Sequence, residues 1–314
     1  MSKKSRSFKA TMTTIAALTL SVQMVSGAAA ASVSAEGIPY RAVTAAVAAA
    51  PSKIVSEYNA LLAKPGQLPA AMAYLKAHIQ EVSKSQATIM LLHLENAVRK
   101  QLPEQQKRFE KASIQSAIAK VYYRGDSFEK VMAKTKDASL KALLKQAASS
   151  GYKLETSEGM FYPIMDYSAF KVYVKAVNPD IQTYIELMAT ESAQTNLKDA
   201  AIVIGYQQLV GRAIQQESFL QRYAYSNRAA QVRQLYQSYE ALTFYGANNT
   251  PLFNYDTKEM QPNAIRGYEA ILQRSDIDSS PYLQKLQKFM NVAKENGYKL
   301  TPELEKYRKA NLPL

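Results

Sequence analysis

The chain contains no cysteine, no tryptophan and only two histidines in 314 residues. The lack of cysteine excludes disulfides, thiolate metal ligation and cysteine nucleophiles. His78 and His93 stand far apart, and no His-Glu-x-x-His or other paired spacing brings a second ligand near either of them. No Gly-x-Ser-x-Gly elbow and no glycine-rich phosphate loop occurs. The sequence therefore offers no cofactor site and no metal site. Glycine and proline are also sparse, at 11 and 12 residues, so each one that interrupts a periodic run carries information.

Acidic residues are the scarcer charge, 26 against 39 basic, for a net charge of +13. Lys3, Lys4, Arg6 and Lys9 open the chain without an acid among them, and Ala10–Val25 is apolar. That run is shorter than the roughly 20 residues of a spanning helix. Small residues follow, and cleavage after Ala30, Ala31 or Ala35 fits a small-x-small rule. Residues 1–35 are thus expected to be an export signal, which predicts a secreted, extracellular or cell-wall-associated protein. An uncleaved anchor is the alternative. Arg6 has no arginine neighbour, and no cysteine is present to carry a lipid. An exported chain without cysteine must be held by its own core.

Apolar residues recur at steps of three and four along almost all of the remaining chain. The sets include Met72, Leu75, Ile79 and Val82; Leu91, Leu94 and Val98; Ile181, Tyr184, Ile185 and Met188; and Leu283, Leu286, Met290 and Ala293. Each set makes one buried stripe on a 3.6-residue helix. Asn178-Pro179, Ser280-Pro281 and Thr301-Pro302 read as helix starts, a capping side chain followed by proline at the first helical position. Asp126 and Glu129 have the spacing of a capping box. Gly66, Gly125, Gly151, Gly246 and Gly297 read as stops. Pro103 should break or kink the stretch Ser85–Lys111. Gly205 and Gly211 read as helix-interior glycines that admit a close neighbour. Only Tyr152–Tyr167 departs from helical spacing. It reads as a short β-hairpin turning at Ser157-Glu158-Gly159, with Pro163 on an edge. The expected fold class is mainly α, a multi-helix bundle-like body with one hairpin near residues 152–167.

Composition divides the chain beyond the signal. Residues 36–150 carry 17 Lys and Arg against 9 Asp and Glu, whereas residues 151–314 carry 18 against 17. Phe and Tyr run the other way, 7 before Gly151 and 22 after it. A basic helical region, 36–150, is expected to adjoin a Tyr-rich helical region, 151–314. Arg99, Lys100, Lys107, Arg108, Lys111, Lys120 and Arg124 form the candidate anion-binding stretch. In an exported protein its partner would be an anionic cell-wall polymer or a membrane surface. Nucleic acid is disfavoured by the signal and by the lack of interleaved aromatics. The plain alternative is a solvated, lysine-rich helix face.

Carboxylates are the remaining candidates for catalysis. Glu158 and Asp166 flank the hairpin, and Glu191 lies on the helix after Pro179. Two carboxylates in an aromatic cleft would suit cleavage of peptidoglycan or another polysaccharide. Glu191-Ser192 resembles the Glu-Ser pair of lysozyme-like lytic transglycosylases, in which the glutamate is the general acid, but the Gly-Leu-Met-Gln stretch of those enzymes is absent. Capping and surface charge are the plain reading of these acids.

Three further stretches, Val82–Thr88 with Pro103, Glu158–Pro163 with Asp166-Tyr167, and Asn248–Phe253, together resemble exported helical proteins of Bacillus- and Paenibacillus-like Gram-positive bacteria. The resemblance implies a Gram-positive envelope setting and no activity. The leading expectation is a binding or interaction protein with a basic surface. The alternative is the carboxylate enzyme.

Overall fold

A computed structural model describes residues 52–312. The expected signal, with its cleavage positions, lies outside the described residues. The first part of the described chain is helical: α1 (Lys53–Ala63), α2 (Leu68–His78), α3 (Lys84–Phe109), α4 (Ala112–Ala119), α5 (Phe128–Lys134) and α6 (Ala138–Ser149). A hairpin of β1 (Tyr152–Ser157) and β2 (Met160–Met165) follows, then a 3-10 stretch at Tyr167–Ala176 and α7 (Pro179–Ala193). Strands β3 (Leu197–Lys198) and β4 (Ala201–Ile202) lead to α8 (Tyr206–Arg222) and α9 (Ala229–Tyr245). Strands β5 (Gly246–Ala247) and β6 (Thr250–Pro251) precede α10 (Pro262–Leu272), α11 (Pro281–Glu295) and α12 (Pro302–Asn311). The fold is mainly α. Its sheets, among the described residues, are three antiparallel strand pairs. No helix among these residues is long and apolar enough to cross a membrane.

Local chemistry explains most boundaries. Ser83 and Gln86 close a capping box at the start of α3, each side chain bonding the other's backbone N–H, at 3.3 and 3.1 Å. Ser280 and Thr301 cap α11 and α12 through their hydroxyls. Asn178 occupies the cap position of α7, but its side chain bonds no backbone N–H there. The expected box of Asp126 and Glu129 does not form. Ser127 caps α5 instead, while Asp126 accepts from the Tyr123 N–H at 2.7 Å and pairs with Lys134. Serine wins because Asp126 is already committed to the preceding turn.

Pro103 does not break α3, which runs on to Phe109. A proline removes one helical hydrogen bond, here to the Arg99 carbonyl four residues back, and the buried stripe of Leu91, Leu94 and Val98 anchors the helix before it. The five expected glycine stops all have positive φ. At Gly246 a side chain is excluded twice over, by φ +80° and by the Leu252 nitrogen, 2.4 Å from where a Cβ would stand. The expectation for Gly205 and Gly211 needs correction. Gly205 is the residue before α8, and a Cβ on Gly211 would meet nothing within 4 Å. The close approach is at Gly267 of α10, where a Cβ would stand 2.8 Å from Tyr206 Cβ.

The hairpin pairs Tyr152 with Met165 and Ser157 with Met160, turning at Glu158-Gly159. Both strands of a two-stranded sheet are edges, so Pro163, opposite Leu154, is tolerated. The buried apolar residues form two clusters. The first gathers residues from Tyr58 to Ala189 together with Phe219 and Val232. The second gathers Ile204 to Leu312. Helices α8 and α9 therefore contribute to both, Phe219 and Val232 to the first and Leu209, Val210, Tyr239 and Leu242 to the second. The compositional step at Gly151 falls within the first cluster.

Candidate functional site

The seven cations of the candidate stretch have different fates. Arg99 follows Glu95 by one helical turn and turns inward. Its Nη2 donates to Glu95 Oε1 at 2.6 Å and to the hydroxyls of Tyr167 and Tyr184 at 3.0 and 3.2 Å. Arg108 bonds Gln105 at 3.1 Å and also Gln146, tying α3 to α6. Lys107 pairs with the exposed Glu104 at 2.8 Å. Lys100, Lys111, Lys120 and Arg124 are exposed and make no ion pair among the described residues.

The free positive charge continues further than the candidate stretch. Lys130 on α5, Lys136 before α6, and Lys141 and Lys145 on α6 are exposed and likewise unpaired among the described residues. Lys141 and Lys145 stand one turn apart beside a buried ridge of Leu140, Leu143, Leu144 and Ala147. Their outward position is therefore a consequence of the helix period. Helix α6 packs against both α4 and α5, which brings these cations into one region. Of the local acids, Asp126 is engaged by Lys134 and Asp137 by the N–H groups of Ser139 and Leu140, whereas Glu110 and Glu129 are exposed and make no ion pair among the described residues. Residues Lys130 to Lys145 were missing from the candidate set, although the spacing of Lys141 and Lys145 could have shown them.

The three candidate carboxylates are not assembled into a pair. Glu158 is exposed at the hairpin tip with φ +50°. Asp166 lies at the other end of the hairpin, where its carboxylate accepts from the Ser168 N–H at 3.0 Å and hydroxyl at 2.6 Å. Six-residue strands rising about 3.3 Å per residue hold the two roughly 20 Å apart, against the roughly 5–9.5 Å that glycoside hydrolysis requires. Glu191 is engaged between α7, α8 and α9. It accepts from the Tyr239 hydroxyl at 2.6 Å and Arg212 Nη1 at 3.2 Å. Burial pushes its carboxyl above the ordinary range, opposed by those two donors. No two of these acids share a hydrogen-bond partner among the described residues.

The most concentrated buried charge is one that spacing arguments missed. Glu95 is fully buried on α3. Its Oε1 accepts from Arg99, Tyr167 and Tyr184, the tyrosines at 2.6 and 2.5 Å. Its Oε2 receives the Arg228 guanidinium at 2.6 and 2.7 Å, and Arg228 also bonds Asn96 at 2.9 Å. The signal was a glutamate four residues after Leu91, on the apolar stripe of α3. Every lone pair is answered from within the chain, so the cluster is a structural joint between α3, α7 and the segment entering α9.

His78 bonds Glu81 at 2.7 Å and lies against Tyr74, while His93 is exposed. Among the described residues no group of three or more His, Asp or Glu side chains is arranged to hold a metal ion. Comparison with protein-family models, curated proteins and solved structures finds no match to this chain. The chain's own chemistry therefore carries the functional reading.

Proposed function

We propose that this is an exported binding protein of a Gram-positive-type envelope, which attaches to phosphate-bearing anionic polymer through the lysine-rich surface of α4–α6. One observation carries the reading. Lys111, Lys120, Arg124, Lys130, Lys136, Lys141 and Lys145 are exposed and unpaired among the described residues, on or beside three helices that pack together. These seven cations outnumber the exposed Glu110 and Glu129 beside them, and a polyanion relieves the repulsion of the excess while screening sets the range of the attraction. Export supplies the partner class, since anionic wall polymers and lipid head groups are the polyanions outside such a cell. The inward Arg99 contributes to the fold and not to this surface.

The test is sedimentation of the protein with purified cell walls, with walls stripped of their anionic polymer, and with anionic vesicles. Retention on intact walls and loss on stripped walls supports the reading. Retention on vesicles alone would move the partner to the membrane. Equal retention on intact and stripped walls contradicts an electrostatic attachment.

A further inference from the structure

The second apolar cluster supports an open cleft of about 760 Å³ far along the chain from the basic helices. It lies between the start of α8, the β5–β6 turn and the start of α10. Its apolar surface comes from Ile202, Ile204 and the half-buried Tyr206. Its polar surface comes from Gln207, Gln208, Asn249, Thr250, Gln261 and Asn263. Among the described residues no acid lines it, and Arg266 is the one cation that does. Such a lining of side-chain amides beside aliphatic and aromatic carbon is matched to a neutral, oxygen-rich ligand and poorly matched to a polyanion.

Four of these amides are exposed, and each has one end bonded to the chain. Gln208 Oε1 accepts from the Gly205 N–H at 3.2 Å, Gln207 Oε1 accepts from Arg274, and Asn263 Oδ1 accepts from Arg266. Each of these three amide oxygens thus has one lone pair taken by the chain, and their NH₂ groups have no partner among the described residues and can donate. Asn249 is turned the other way, its Nδ2 donating to the Asp199 carbonyl at 2.5 Å and its Oδ1 without a donor among the described residues. The walls are fixed by backbone bonds. Ile202 N–H donates to Thr250 Oγ1 at 2.8 Å, Asn249 N–H to the Ala200 carbonyl at 2.9 Å, and Gln261 N–H to the Leu252 carbonyl at 2.8 Å. Gly267 lets α10 close on Tyr206, which sets the floor. The backbone frame of the cleft is thus preformed, which limits the ordering required on binding to its side chains.

We infer that this cleft is a saccharide site, taking a short segment of neutral, N-acetylated glycan. Carbonyl, hydroxyl and ring oxygens face the three NH₂ groups, a hydroxyl donates to Asn249 Oδ1, and the apolar face of a sugar ring rests on Tyr206 and the isoleucines. The site shares no residue with the basic surface and differs from it in kind, because the amide and apolar contacts assigned to the sugar are uncharged and insensitive to screening.

The test is calorimetric titration of the intact protein with the tetrasaccharide of N-acetylglucosamine, with inorganic phosphate as the anionic comparator, at about 50 and about 500 mM NaCl. Saturable binding of the tetrasaccharide is expected at both salt concentrations, with at least about tenfold weakening in Asn263→Ala and in Gln208→Ala. Asn263 is exposed, so its variant reports binding without a folding defect. Lys141→Glu with Lys145→Glu should leave the titration unchanged. Absence of saturable binding, binding untouched by the cleft variants, or binding of phosphate alone would overturn the inference.

Discussion

Glu95 and Arg228 lie 133 positions apart in the chain and meet at 2.6 Å inside the core. Arg99 and two tyrosines complete the coordination, so one buried carboxylate joins three parts of the first apolar cluster. Removing the anion would leave Arg228, whose side chain is only 7% exposed, as an uncompensated buried cation. Glu95→Gln should therefore lower stability by about 3–5 kcal/mol. Urea unfolding followed by circular dichroism measures it, and a loss below about 1 kcal/mol would show that the joint is not a stabilising centre.

The two members of the arginine pair should separate under mutation. The Arg99 side chain is one-third exposed and has water as an alternative partner. Arg99→Gln should thus cost less than Arg228→Gln in the same urea experiment. It should leave wall binding unchanged, because Arg99 points to Glu95. A binding loss matching that of the α6 lysines would return Arg99 to the anion surface.

Glycine substitutions give predictions of opposite sign. Gly211 lies inside α8 with open space where a Cβ would go, so Gly211→Ala should stabilise by roughly 0.5–1 kcal/mol. Gly267→Ala should destabilise by about 1–3 kcal/mol, since its Cβ would stand against Tyr206 Cβ. Melting temperatures of the two variants check both, at roughly 2–4 °C per kcal/mol for a chain of this size.

The pH dependence follows from Asp126. The Lys134 ammonium, and then the Tyr123 N–H, hold its carboxyl below the ordinary 3.8. A depressed folded-state value means that its contribution is present above about pH 3.8 and is lost as pH falls through the lower folded value. The stability deficit of Asp126→Asn relative to the native chain should therefore be largest near neutrality and shrink on acidification. Urea midpoints across an acid pH series would show it, and a deficit constant with pH would refute the assignment.

The helical architecture was legible because its causes are local. The caps at Ser280 and Thr301, the glycine stops and the apolar stripes each lie within a turn or two of what they determine. The hairpin was legible for the same reason, its turn residues falling between two aromatic-rich runs. Partners at long range were not legible. Nothing near Glu95 in the chain announces Tyr167, Tyr184 or Arg228. Nor could spacing separate the open Gly211 from the crowded Gly267, because the difference lies in a second helix. The basic stretch was legible as composition but not as surface, since Arg99 and Arg108 are turned toward partners supplied by the fold.

Binding of anionic wall polymer to the α4–α6 surface by charge is the central functional proposal. The direct measurement is the affinity of the intact protein for purified walls between about 50 and about 500 mM NaCl, for the native chain and for the fourfold variant Lys120→Glu, Arg124→Glu, Lys141→Glu, Lys145→Glu. The native protein should bind at low salt and release steeply as salt rises, and the variant should fail to bind at low salt while melting at an unchanged temperature. Native binding that is absent at low salt, indifferent to salt, or retained in the variant would contradict the account.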